Sequence, residues 1–300
     1  MLLEYYLNKL EFSKMPKFLN KYLKCPSLIR LKKVGYFCGM DYASKNIYNF
    51  SEYISRFDHS LTVSLLTYKL TKDKKATIAA LFHDIATPCF SHVIDYMNGD
   101  YEKQESTEEY TEYILKNDKY LIGCLKKDHI ALEDTINFKN YSIVDNDRPK
   151  LCADRLDGII LTGIGWTKNI NKNDIDQIID DLVVFKNEFN ENEIGFKSFN
   201  VAKKVLDVSE SIDKYCHSNE DNYMMQLLAD ITKLAIHNSI ISYEDLYYLD
   251  EEKLLNLFND KKLEPLVIKF KNIKLEDVPD THIPNIKKRN ISPLVNGKRL

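Results

Sequence analysis

The chain has 300 residues, 44% of them apolar and 29% charged, a length and balance that give a folded protein with a real core and exclude a disordered one. Its 42 basic and 45 acidic residues leave a formal charge of −3, which argues against a nucleic-acid coat or general attraction to membrane surfaces. Six cysteines without a C-x-x-C pair suit reduced thiols in a cytoplasmic chain, and the opening MLLEYYLNKLEFSKM, broken by Glu4 and Lys9, reads as neither a membrane span nor a signal peptide.

Taken in order, the elements are mostly helical. Val34 to Cys38 and Ile47 to Phe50 are the first strand candidates, expected to pair as a hairpin. Ser55 to Leu70 puts His59, Val63, Leu66 and Leu70 on one helix face. KKATIAALF (74–82) is a strong helix former that stops near His83-Asp84, before Pro88. Ser106-x-x-Glu109 reads as a capping box for a helix to about Lys116. Pro149 suits a helix first turn, with the helix running to about Thr162 and ending at Gly163 and Gly165. Further helices are expected over about 174–188, 200–215 and 221–238, and Asp250 caps EEKLLNLF. The alternation I-K-F-K within Val267 to Leu275 suggests a strand. The expected architecture is mostly α with small β-hairpin additions: a core over 1–170, and a helical extension with a basic tail over 171–300.

Four segments carry the chemistry: RFDHS (56–60), LFHDIATPCFSHVID (81–95), EKQES (102–106) and CADRLDG (152–158). His59 lies in phase with a helix face, His83 and Asp84 are adjacent at a helix end, and Asp154 sits one turn from Asp157 on a later helix. Two imidazoles and two carboxylates from three helices make a mixed nitrogen and oxygen set for one divalent ion. Such a set suits Mn, Fe, Ni, Zn or Mg, because it needs no soft ligand. Taken singly, each residue has a bland reading: His59 as a satisfied core histidine, and Asp154 and Asp157 as surface acids beside Arg155 or Lys150. His129 reads as a solvated histidine, with a second metal as the sharper alternative.

RFDHSL, then ALFHDIATPCFSH, then DRLDG resembles the HD-domain superfamily of metal-dependent phosphohydrolases, and most nearly its deoxynucleoside triphosphate triphosphohydrolase branch. The resemblance implies an HD-domain helical bundle. It also implies metal ligands His59, His83, Asp84 and Asp154, a phosphate contact at Arg56, and proton handling by His92 with Asp95. By the same likeness Arg155 touches phosphate, Gln104 occupies a substrate-side position, and Tyr215 lies near the sugar or base. Thr87 and Gln104 stand where the branch has histidines, Gly158 where it has a tyrosine, and Thr162 where it has an acid. Neither Thr87 nor Gln104 can protonate a leaving oxygen near neutral pH. The expected function is a phosphohydrolase acting on a nucleotide phosphate, with triphosphate release as the full analogy. The alternative is a nucleotide-binding regulatory protein with a weakly catalytic centre. The expected partners are the nucleotide and a second copy of the chain. The tail from Asn285, with Lys287, Lys288, Arg289, Lys298 and Arg299 and no acid, reads as solvated, with a nucleotide or RNA contact as the alternative.

Overall fold

A computed structural model describes residues 1–300. The fold is mostly α, with helices joined to one four-stranded sheet. Its centre is the helix Arg56–Thr71, eleven of whose residues are buried, so it is enclosed on nearly every side. Ser55 starts it as a capping box: its hydroxyl accepts from the Asp58 amide, and the Asp58 carboxylate accepts from the Ser55 amide. Lys72 ends it in the left-handed region, and Asp73 immediately caps the next helix, Lys74–Phe82. The Ser64 hydroxyl donates to the Thr77 carbonyl at 2.9 Å and pins these two helices together.

The helix Ala153–Gly165 crosses the central one. It starts later than Pro149 suggested, because residues 145–150 form a loop tied down by Arg155, and it runs through both glycines. Gly163 is needed where Ile170 comes close, and a Cβ at Gly165 would collide with the Phe37 ring. The expected helix over 174–188 stops at Asp181, where the run Val183-Val184-Phe185 forms β1 (Leu182–Lys186) instead. β1 pairs antiparallel with β2 (Asn192–Phe196), β2 runs parallel to β3 (Leu294–Val295), and β3 turns back into β4 (Lys298–Arg299). Helices Phe199–Cys216 and Asn219–His237 lie where the patterning puts them, and Asp250 caps Glu251–Leu257 through the Lys253 amide.

Three further expectations about local structure fail. Residues 34–50 form turns with one isolated bridge, Gly35 to Ser55, rather than a hairpin. Their aromatic side chains pack on one another, Phe37 stacking on Phe50 at 4.4 Å. The stretch around Val267 is the helix Glu264–Asn272, with Pro265 in its first turn and Val267 and Phe270 buried three residues apart. The box at Ser106 opens a short 3-10 turn to Glu108, and the helix proper is Thr111–Asn117.

Two apolar cores result. One gathers 50 buried residues around the central helix and includes Ala202, Val205 and Ile212 from beyond residue 170. The other, of 25, joins Met40, Phe90 and Ile94 to residues of the 224–273 region. No helix is long and apolar enough to cross a membrane.

Candidate metal centre and its cavity

A cavity of about 660 Å³ opens along the seam between the two cores, lined by Phe37 and Ile212 of one and Met40 and Met225 of the other. His59 and Asp154 line its wall, and His83 stands behind them.

His59 is 2% exposed and His83 4%. The Nδ1–H of His59 donates to Asp157 Oδ2 at 2.7 Å, and that of His83 donates to the Ala80 carbonyl at 2.7 Å. These bonds orient both rings and turn both Nε2 atoms toward one carboxylate oxygen, where each would offer its lone pair to a bound cation in place of a proton. His59 Nε2 lies 3.0 Å from Asp154 Oδ1, and His83 Nε2 lies 3.4 Å from the same oxygen. Asp84 closes the group, with Oδ2 3.7 Å from His59 Nε2 and Oδ1 3.7 Å from His83 Nε2. Nε2 of His83 is buried and has no hydrogen-bond partner. A buried lone pair without a donor costs free energy unless something electropositive meets it, so the donor set fits a divalent cation.

The electrostatics agree. Burial would raise Asp154, yet His59 and His83 hold it well below the usual carboxylate range. Burial likewise opposes ionisation of Asp84, but His83 and Arg56 keep it depressed. Burial would lower His59, but the bonds to Asp154 and Asp157 outweigh it and push it up to about 10. The pocket therefore holds ionised carboxylates and favours positive charge between them. A second group, Asp145, Cys152 and Asp154, comes within ligand distance, but burial pushes the Cys152 thiol up to about 12 and Arg155 pairs with Asp145 at 3.2 Å.

Arg56 comes from the first turn of the central helix. Its Nη1 donates to Asp84 at 2.9 Å and its Nε to Ser91 Oγ at 3.0 Å, and the Tyr36 ring covers its guanidinium at 4.8 Å. His92 caps the helix Val93–Asn98, with Nδ1 donating to Asp95 Oδ2 at 2.8 Å. Asp95, fully buried, also accepts from the Ser106 amide, so it ties His92 to the segment carrying Gln104. Burial lowers His92 more than Asp95 raises it, so the ring is neutral and its Nε2 free beside the cavity.

Other expected residues are placed differently. Arg155 lines the cavity, but both terminal nitrogens are committed to Asp145, to the Asn146 side chain and to the Asn146 and Lys150 carbonyls. Tyr215 is 44% exposed and lies tilted against Trp166, outside the lining. The reason is phase: Ser209, Ile212 and Cys216 face the cavity at helical spacing, and Tyr215 is turned about 100° from Cys216. Gln104 does line the cavity and accepts from Arg289 Nη2 at 3.0 Å. Thr87 is buried, with its carbonyl accepting from Arg30. His129 is exposed. The tail is only partly solvated: Lys288 and Lys298 are exposed, but Ile286, Lys287 and Arg289 line the cavity before the chain joins the sheet.

Sequence reasoning missed Tyr36, whose ring lies 5.1 Å from that of His59 and whose hydroxyl fills the space over Gly158. It also left Asp157 without a role, although the spacing from Asp154 put both on one helix face. Asp221, a cavity residue accepting from the Tyr48 hydroxyl at 2.7 Å, carried no signal because its neighbours come from remote segments.

With this geometry in place, the comparison with known families bears on one segment. The HD domain matches residues 56–159. That HD domain spans all four converging side chains, from His59 to Asp154. The chain is also 28% identical over 221 residues to the uncharacterized protein YdhJ of Bacillus subtilis, an alignment covering 71% of the chain. It is 24% identical over 132 residues, 44% of its length, to the metal-dependent phosphohydrolase cns2 of Cordyceps militaris. The chain covers 64% of the Bacillus protein and 37% of the Cordyceps one.

Proposed function

We propose that the chain is a metal-dependent phosphohydrolase acting on a nucleotide phosphate. The observation that carries this reading is the convergence of two tautomer-fixed imidazoles and two ionised carboxylates at the edge of a large cavity. His59, His83, Asp84 and Asp154 would hold the ion. A divalent ion there supplies Lewis-acid neutralisation of phosphoryl charge and a water of lowered pKa. Arg56, immobilised by Asp84, Ser91 and Tyr36, offsets charge on non-bridging oxygens without reorganising. His92, neutral and held by Asp95, can take a proton at Nε2 or return one. Phe37, Phe50 and Trp166, which also line the cavity, offer apolar aromatic surface to a nucleobase. The resemblance to the triphosphohydrolase branch supports a triphosphate substrate. The Tyr36 hydroxyl takes the space over Gly158, and Thr162 lines the cavity where the branch has an acid, so the wall would meet a differently shaped sugar.

The test combines elemental analysis with a panel of nucleoside mono-, di- and triphosphates and cyclic nucleotides under several divalent ions. Release of phosphate, pyrophosphate or triphosphate, lost in His83→Ala and Asp84→Ala together with bound metal, is the expected result. Wild-type metal content in both variants would refute the ligand assignment. Arg56→Lys should slow turnover or weaken substrate binding with metal content unchanged. A second reading, a nucleotide-binding regulator, is favoured by Thr87 and Gln104, which place no titratable group where the triphosphohydrolase pattern has histidines. Tight nucleotide binding without turnover under every ion would select it. The same cavity would serve a homo-oligomer or a monomer, and sedimentation of the full chain decides between them.

A further inference from the structure

Most cations along the cavity have a carboxylate. Arg56 pairs with Asp84 at 2.9 Å, Lys139 with Glu108 at 2.8 Å, Lys150 with Glu191 at 3.0 Å and Arg155 with Asp145 at 3.2 Å. Three others lining the same cavity do not. Arg148 Nη1 donates to the Asn290 carbonyl at 3.1 Å, Lys287 Nζ to the Lys103 carbonyl at 2.7 Å, and Arg289 Nη2 to Gln104 Oε1 at 3.0 Å. Nε of Arg289 is buried with no partner at all. The bond from Arg148 to Asn290 brings it beside the tail that carries the other two. Burial and then the charges of Arg289 and Arg148 depress Lys287, and burial followed by Arg155 and Arg289 pushes Arg148 down to about 10. None of the remaining acids of the lining pairs with them directly: Glu105 and Asp147 stand exposed, Asp154 faces His59 and His83, and Asp221 is bonded to Tyr48. Three partly buried like charges that bond only neutral oxygens are an unfavourable arrangement in a folded chain unless an anion joins them.

We propose that Arg148, Lys287 and Arg289 form a seat for a phosphoryl group, separate from the group of His59, His83, Asp84 and Asp154. The tail places it there through backbone anchors: the Lys287 amide donates to the Tyr101 carbonyl at 2.9 Å, the Arg289 amide to Asp213 at 2.7 Å, and Ser209 Oγ to the Arg289 carbonyl at 3.1 Å. Tail and 101–104 segment thus close over one side of the cavity with the guanidinium turned inward. Insofar as the phosphoryl group belongs to the substrate, the proposal rests on the phosphohydrolase reading. It then requires a substrate with a second anionic group beyond the one at the metal-ligand cluster. The same seat would equally accept a free phosphate or pyrophosphate acting as an effector.

Calorimetric titration of the full chain with inorganic pyrophosphate, in metal-free buffer, tests the seat without reference to turnover. Wild type and Asp154→Ala should bind alike, and Arg289→Gln and Lys287→Gln should each bind about tenfold more weakly, the loss of one charge-assisted contact. Wild-type affinity in both tail variants, no binding to wild type, or binding abolished by Asp154→Ala with the tail intact would overturn the proposal. Lys287→Gln decides the matter if Arg289→Gln fails to fold, because the Lys287 side chain makes a single hydrogen bond. Where turnover is found, a KM raised by Arg289→Gln for nucleoside di- and triphosphates but not monophosphates assigns the seat to the substrate. Unchanged KM values with loss of a pyrophosphate effect on rate assign it to a free anion. Absence of turnover with every nucleotide would sink the catalytic reading and leave the binding result standing.

Discussion

Asp157 accepts from His59 Nδ1 on one oxygen and from the Tyr6 hydroxyl on the other, both at 2.7 Å, with no exposure to solvent. Burial raises its pKa, and those two bonds oppose the rise. Asp157→Asn keeps the shape but removes the charge that fixes the His59 tautomer. It should weaken metal binding roughly 10–100-fold with the fold intact, as read by competition with a chelator. Glu251 is a second buried acid with a different consequence. One oxygen accepts from the Phe90 amide at 2.9 Å, the other has no partner, and burial pushes its pKa up to about 7 beside Asp41, itself pushed up to about 6. A folded pKa above the unfolded value of about 4.5 means a contribution that is complete below that pH and lost as pH rises through 7. Glu251→Gln should therefore melt higher than wild type at pH 8, by at most about 3 kcal/mol in stability. The two melting curves should converge near pH 4.5. A constant offset across that range would refute the assignment.

Among the elements, the helix Ala153–Gly165 shows how small residues position a site. Gly165 lets Phe37 and Ile54 approach, with Phe37 Cε2 at 2.9 Å and Ile54 Cδ1 at 3.2 Å from where a Cβ would stand. Gly165→Ala must displace Phe37, which lines the cavity, and should cost about 1–3 kcal/mol in a urea melt. Gly123 lies inside the helix Lys119–Lys127 with nothing within 4 Å of its would-be Cβ. Gly123→Ala should gain about 0.5–1 kcal/mol by propensity alone. Opposite signs at two helical glycines separate packing from backbone entropy; destabilisation at both would refute this account. The central helix and its neighbour were legible beforehand, because apolar spacing and helix propensity act within a few residues. The segments read as strands failed for the same reason: I-K-F-K also fits a helix whose Val267 and Phe270 are buried, and only packing distinguishes the two.

Across the molecule as a whole, the tail joins β2 to the cavity. Arg299 reaches back to Glu193, which is fully buried, with Nη1 and Nη2 at 2.9 and 2.8 Å from its two oxygens. Arg299→Met would leave that carboxylate with only the Leu151 amide and the Asn187 side chain, and should cost about 3–5 kcal/mol. Adding Glu193→Leu should recover much of the loss in melting temperature; full additivity of the two losses would argue against a direct pair. The packing also crosses residue 170 in both directions, since the first core takes residues from 202–212 and the second takes residues from 40–97.

Residue order alone was enough for the helical class, the Asp250 cap and the adjacency of His83 and Asp84, because helix periodicity and capping are local. Likeness to the HD pattern added Arg56, His92 and Asp95. That Tyr215 turns away, that Arg155 is spent on its own loop, and that the basic tail folds inward emerged from the packed chain and from nothing shorter. Those outcomes depend on which side chains claim a given donor or acceptor first, and the competing partners lie from a few residues to well over a hundred residues apart along the chain. Three cations left without carboxylates could be found only after every other pair in the cavity had been made.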